Sequence, residues 1–287
     1  MTIPGVLRPA LVAAVLLGLA ACGERGAGGS PSPATSSTEP AAADGLVLRV
    51  ETTGGFVSPS VTVGRLPLIS VYADGRMISE GPVIAIYPGP ALPNLQEQRI
   101  DRAAVQDLVD RALAAGVADT TDLGSPPVAD ATSTRITVVT ASHTYVREVY
   151  ALQETPAEGP GLTDAQHAAR TKLGDLVSAI TAPTAGAGSA PYQPDSIAAL
   201  ATPWSAPQDG LPQPDVAWPG PALPGESTGG LPDLGCVTVT GDQVPTLLTA
   251  AASANTETAW VTPDGSRWSV TFRPLLPDES GCADLSD

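Results

Sequence analysis

Apolar and polar residues alternate in short runs along this chain, and each run ends at glycine or proline. "LVLRVET", Leu46 to Thr52, alternates as a half-buried strand does. "RLPLISVYADGRMIS" predicts a hairpin, Leu66 to Tyr72 and Arg76 to Ser79, with Asp74-Gly75 supplying the turn. "PVIAIYPGPALP" predicts another short strand, stopped by Pro88 and Pro90. "RITVVTASHTYVREVYAL" predicts a second hairpin bending near Ala141 to His143. Strands are expected at Ile197 to Leu200 and in "GCVTVTG". "ETAWVTPDGSRWSVTFRPLL" predicts a third hairpin around Pro263-Asp264-Gly265, with Thr262 facing Ser266 and Trp260 facing Trp268. Such an aromatic pair adds about 0.5–1 kcal/mol to a sheet.

Three segments carry helical periodicity instead. Asp101 is placed to cap a helix to Ala115, with Val105, Leu108, Val109, Ala112 and Leu113 on one stripe and Gly116 closing it. Thr163 and Gln166 fit a capping box ahead of Leu173, Leu176, Val177 and Ile180. Asp242 is placed to cap a helix to Ala254, with Leu247, Leu248, Ala251 and Ala252 inward. Hairpins with helices between them predict an α+β fold, antiparallel sheet with about three helices packed on one face. The expected organisation is an α+β lobe at 45–201, a linker at 202–233 and a small strand–helix–hairpin lobe at 234–287. The linker stretch is rich in proline and glycine, and Trp204 and Trp218 are its apolar anchors, or the walls of a peptide groove.

The N-terminus follows a different pattern. "MTIPGVLRPALVAAVLLGLAAC" has one positive charge, Arg8, and then an apolar run from Ala10 to Ala21. Twelve helical residues rise about 18 Å, short of a hydrocarbon core of about 30 Å. The run therefore reads as a signal h-region over residues 1–21. Its end, Leu19-Ala20-Ala21-Cys22, resembles the lipobox of bacterial lipoproteins. The resemblance implies that a dedicated signal peptidase recognises Leu19, Ala20 and Ala21 and cuts before Cys22, whose thiol carries a diacylglyceryl group. The alternative is an ordinary secretory signal in which Cys22 is incidental. Two acyl chains hold a protein on a membrane stably where one holds it marginally. Residues 22–44 have no large aliphatic or aromatic residue to bury and read as a tether spanning about 25 Å. The body resembles uncharacterised secreted lipoproteins of high-GC Gram-positive bacteria in "GRLPLISVYADGRMI", "YPGPALP" and "FRPLLPDESGC". That resemblance implies no activity.

Composition narrows the partners. The chain is 43% hydrophobic but only 4% aromatic, so the core is built from Val, Leu, Ile and Ala. A formal net charge of −16 leaves no basic stripe for phosphates, which argues against nucleic acid and against docking of the body on anionic lipid. Three cysteines become two once Cys22 is set aside. Export places Cys236 and Cys282 in an oxidising compartment, so a disulfide between them is expected.

Motifs for catalysis are scarce. There is no G-x-S-x-G, HExxH, Walker loop or G-x-G-x-x-G, and no cofactor is expected. His143 sits at a hairpin tip between Ser142 and Thr144, and His167 sits in the first turn of a helix. The tail "PDESGCADLSD" carries Asp278, Glu279, Asp284 and Asp287, which read as a solvated acidic cluster, the alternative being a loose Ca²⁺ site without EF-hand spacing. The expectation is a lipid-anchored, extracytoplasmic, non-catalytic module that binds a protein or small molecule. Tyr72, Tyr87 and the Trp204–Trp218 segment are its candidate contacts. The alternative is a surface hydrolase with a site assembled around His143.

Overall fold

A computed structural model describes residues 39–154, 160–182, 188–228, 230, 231 and 233–285. In chain order the elements are β1 (Leu46–Gly54), α1 (Pro59–Gly64), β2 (Ile69–Tyr72), β3 (Arg76–Glu80), β4 (Leu95–Arg99) and α2 (Arg102–Ala114). β5 (Thr132–Val139), β6 (Thr144–Tyr150), α3 (Asp164–Thr181), β7 (Ala190–Pro191) and β8 (Ser196–Pro203) follow. β9 (Asp215–Ala217), β10 (Glu226–Ser227), β11 (Gly235–Thr240), α4 (Gln243–Ala252), β12 (Ala259–Val261), β13 (Arg267–Pro274) and a 3₁₀ turn (Cys282–Leu285) complete the described chain. The class is α+β.

The strands form two sheets. The first runs β6-β5-β1-β2-β3-β4-β7 and is antiparallel throughout. The second runs β10-β11-β8-β13-β12-β9, with β9 parallel to β12 and the other pairs antiparallel. In the first, Leu48 and Val50 of β1 and Ile136 and Val138 of β5 share a core with Val105 and Val109 of α2 and Leu173 and Val177 of α3. In the second, Ile197, Ala199 and Phe272 pack against Val244, Leu247 and Ala251 of α4.

Local chemistry explains the best-matched elements. Asp101 accepts a hydrogen bond from the Ala104 amide at 2.8 Å and starts α2. Thr163 and Gln166 form a complete capping box on α3, each satisfying a backbone amide that the first turn leaves unpaired. Gly75 turns the β2–β3 hairpin at φ +86°, and a Cβ there would meet the Ile100 carbonyl oxygen at 2.2 Å. β12 and β13 pair Trp260 with Trp268, and the Thr262 amide donates to the Ser266 carbonyl at 3.0 Å.

Four expectations change. Residues 82–88 form no strand. Val83, Ile84, Ile86 and Tyr87 stay 58–68% exposed, and the ladder beside β3 goes instead to the polar segment Leu95–Arg99. Pro82, Pro88 and Pro90 have no amide to donate, whereas β4 pairs with β3 over five consecutive positions. The Asp242 side chain makes no capping hydrogen bond, because Asp242 itself takes helical angles, and α4 ends at Ala252 rather than Ala254. β8 lies between β11 and β13, so the strand assigned to the first lobe belongs to the middle of the second sheet. The stretch at 202–233 supplies β9 and β10 to that sheet, and Trp218 is buried in its core.

The aromatic contacts differ in detail from the expected pair. Trp260 meets Trp218 edge-on at 5.7 Å and Phe272 edge-on at 5.3 Å, while Trp218 stacks on Phe272 at 6.3 Å. Trp268 is partly buried against the same cluster.

Candidate functional site

Alternation along β1 divides its side chains between two environments. Leu48 and Val50 enter the core, while Arg49, Glu51 and Thr53 line an open cleft of about 1070 Å³. The floor continues across β5 and β6 in register. Arg49 pairs with Thr137, which pairs with Val146. Glu51 pairs with Arg135, which pairs with Glu148. Thr53 pairs with Ser133. The walls come from the α1 region, with Val57, Thr62 and Arg65, and from the C-terminal segment, with Arg273, Glu279 and Asp284.

Most charges in the cleft are already engaged. Arg49 donates to Ser70 Oγ at 3.0 Å and to Asp278 Oδ1 at 2.8 Å. Burial alone would lower the Arg49 pKa, but the Asp278 carboxylate and its neighbours outweigh burial and raise it. The Tyr72 hydroxyl also donates to Asp278 Oδ1, at 2.7 Å. Burial and that carboxylate together push the Tyr72 phenol well above its usual range. The buried Arg273 makes two bonds to Glu279, at 3.0 and 2.8 Å, and donates to the Arg65 carbonyl at 3.2 Å. Glu279 also accepts from the Leu276 amide at 2.7 Å. Arg135 lies 3.6 Å from both Glu51 and Glu148. Arg65 Nη1 donates to the Thr52 and Gly54 carbonyls at 3.0 and 3.1 Å.

Within the tail, Asp278 and Glu279 are therefore a structural clamp and not part of a solvated cluster, while Asp284 is exposed and Asp287 lies outside the described residues. Asp278 and Glu279 bind arginines of β1 and β13, and Asp284 accepts from the Ser280 and Gly281 amides at 2.6 and 3.1 Å. The expected disulfide is formed: Cys236 of β11 is bonded to Cys282, with Cα atoms 6.0 Å apart. It holds the clamp against the second sheet beside Val63, Leu200 and Leu275.

His143 lies in a different cluster at the exposed tip of the β5–β6 hairpin. Its Nδ1 is 2.8 Å from Glu39 Oε1, the Tyr145 hydroxyl donates to Glu39 Oε2 at 2.8 Å, and the Ser142 hydroxyl donates to Glu39 Oε1. These contacts, His143 first, then Ser142 and Tyr145, pull the Glu39 pKa down to about 2. Serine and histidine both address the carboxylate here. In a nucleophilic triad the serine would instead lie on the histidine. His167 is in the first turn of α3, with its amide on the Thr163 carbonyl at 2.9 Å.

Other expected contacts separate. Tyr72 reaches the edge of the cleft through Asp278, whereas Tyr87 stands on the exposed 82–88 segment. The Arg267 guanidinium sits 4.0 Å over the Trp204 ring, whose Nε1 donates to the Glu257 carbonyl at 3.1 Å. Leu19, Ala20, Ala21 and Cys22 lie outside the described residues. Among the described residues no helix is long and apolar enough to cross a membrane, and no group of three or more His, Cys, Asp or Glu is arranged to hold a metal ion. The cleft escaped the sequence reading because its floor consists of the polar halves of β1, β5 and β6. The alternation of "LVLRVET" and "RITVV" was the only signal for it. No family model matches the chain, and neither a curated protein nor a solved structure is significantly similar to it.

Proposed function

We propose that this protein is a lipoprotein anchored through Cys22 on the extracytoplasmic face of the cell membrane. Its body is a non-catalytic binding module for a small molecule or protein segment, with no role in nucleic-acid binding. α2 and α3 pack on one face of the first sheet, and the opposite face of β1, β5 and β6 serves as the binding floor, walled by the α1 region. The observation that carries this reading is the cleft over β1, β5 and β6, whose polar floor is ordered by the Asp278 and Glu279 clamp. A concave site with a few fixed polar groups is the usual form of a ligand pocket.

Two measurements test it. Labelled palmitate is incorporated by the native chain and not by Cys22→Ala. In hydrogen exchange, a low-molecular-mass extract of the cell envelope slows exchange at residues 55–66 and 277–285, which wall the cleft. Unchanged exchange at both segments defeats the binding reading.

The second reading is a surface hydrolase around His143, and it has against it that Ser142 and His143 both lie on Glu39 and not on each other. It requires that Ser142→Ala and His143→Ala abolish turnover of p-nitrophenyl esters. The binding reading expects no such turnover above that of the two variants.

A further inference from the structure

We propose that the outer edge of β6 pairs with the β6 edge of a second copy of this chain, joining two first sheets into one continuous antiparallel sheet. The pairing does not depend on whether the cleft takes a ligand.

The β5–β6 ladder shows which backbone groups of β6 face outward. The Thr140 amide donates to the His143 carbonyl at 2.8 Å, and the Ala151 amide donates to the Thr132 carbonyl at 2.8 Å. These two pairs bracket the ladder. Hydrogen-bonded and non-bonded pairs alternate along antiparallel strands, so Tyr145, Arg147 and Val149 turn their backbone groups toward β5. Thr144, Val146, Glu148 and Tyr150 turn theirs away. Arg170 of α3 donates to the outward Tyr150 carbonyl at 2.7 Å, which agrees with that parity. Among the described residues no hydrogen bond reaches the outward amides or carbonyls of Thr144, Val146 and Glu148.

An open edge is a template for another strand, and the other edges of the two sheets are blunted. β7 and β10 have two residues each, with β7 ending on Pro191, and β9 has three, set between Pro214 and Pro219. Proline has no amide to offer a further strand. β6 has seven residues and no proline, and it pairs with β5 at seven consecutive positions without a bulge. Its two charges are held back from the edge. Arg147 donates to the Asp119 and Thr121 carbonyls, and Glu148 lies 3.6 Å from Arg135 of the neighbouring strand. Val146 is left 56% exposed.

The edge is complementary to itself. With Val146 on a two-fold axis, Val146 faces Val146, Thr144 faces Glu148, and Tyr145 faces Arg147 of the second copy. No like charges meet, the two exposed valines cover each other, and Arg147 comes to an aromatic ring. An axis through Arg147 or Glu148 would set like charges face to face. That match singles out a second copy over an unrelated extended segment, and a two-fold pairing closes on itself. Val146 and Glu148 line the cleft, so the pairing sets two clefts side by side across the axis.

Cysteine cross-linking of the full-length protein in intact cells tests the pairing and its register. Facing Cα atoms in a hydrogen-bonded pair lie about 5.5 Å apart, within disulfide reach, and positions four residues out of register lie about 13 Å apart, beyond it. Under copper–phenanthroline, Val146→Cys alone gives a disulfide-linked species of twice the chain mass. Thr144→Cys and Glu148→Cys give none singly and give it when the two variants are co-expressed. Val146→Pro lacks the central outward amide at a position where β5 needs none, and its dimer is at least about tenfold weaker by sedimentation in detergent. The cysteine variants keep every backbone amide, so cross-linking decides the matter even if Val146→Pro fails to fold. Equal cross-linking of all three single cysteines marks random collision and overturns the proposal. So does absence of cross-linking in Val146→Cys. Slowed hydrogen exchange at 144–148 on addition of the envelope extract, without cross-linking, gives the edge to another chain and overturns it as well.

Discussion

Asp278 and Arg49 meet at 2.8 Å across 229 positions of sequence, and this contact ties the C-terminal segment to the first sheet. Arg49 is nearly buried and Asp278 about a quarter exposed. Asp278→Ala strands the Arg49 charge and removes the Tyr72 acceptor. The expected loss is about 2 kcal/mol, between the values for exposed and fully buried pairs. Urea unfolding measures it. Asp278→Asn keeps an acceptor and loses less. A loss under about 0.5 kcal/mol in Asp278→Ala would show that the clamp contributes nothing.

The Cys236–Cys282 bond closes a loop of 46 positions. Chain-entropy arithmetic gives at most about 4 kcal/mol for a loop of that length. Thiol titration of the unreduced, acylated protein is expected to find no free thiol. Paired serine replacement lowers the urea midpoint, and exchange rises first at 277–285, the segment that the bond holds against β11. Two reactive thiols in the native oxidised protein would contradict the pairing.

Trp218 tests whether the proline-rich stretch is part of the folded body. Its ring meets Trp260 edge-on and stacks on Phe272, and the Trp218 amide donates to the Val261 carbonyl at 2.9 Å. Trp218→Ala leaves a large cavity and costs about 3–5 kcal/mol. Trp204→Ala removes a stacked Arg267 at the surface and costs about 1 kcal/mol. Equal, small effects of the two substitutions would make the stretch a loose linker.

Glu39 sets a pH dependence at the β5–β6 tip. Its folded pKa is lowered from 4.5 to about 2, so its contribution is complete above pH 4.5 and is lost as pH falls toward about 2. Glu39→Gln removes that contribution. The urea midpoints of the two proteins differ at neutral pH and converge between pH 4.5 and about 2. A constant difference across that window would assign the effect to packing rather than to the charge.

The elements legible in the sequence are those decided by contacts a few residues apart. The Thr163–Gln166 capping box closes over three positions, and the Pro263-Asp264-Gly265 loop sets the Trp260–Trp268 register through its own turn geometry. The 82–88 segment reads as a strand by apolar content, but a strand exists only where a partner backbone is free, and β4 occupies that edge. The same limit hid the place of β8, because "SIAAL" does not say which sheet it completes.

By itself, the sequence determined the caps of α2 and α3 and the register of the β12–β13 hairpin, since hydrogen bonds over a few residues decide them, and it pointed to Cys236 and Cys282 as a pair once Cys22 is set aside. Only the tertiary structure decided that the 202–233 stretch supplies strands, that Asp278 and Glu279 clamp the partly buried Arg49 and the buried Arg273, and that the polar face of three strands floors a cleft. Each of these depends on which backbone is left unpaired and which charge is left unneutralised once distant segments meet. Spacing along the chain does not encode that directly.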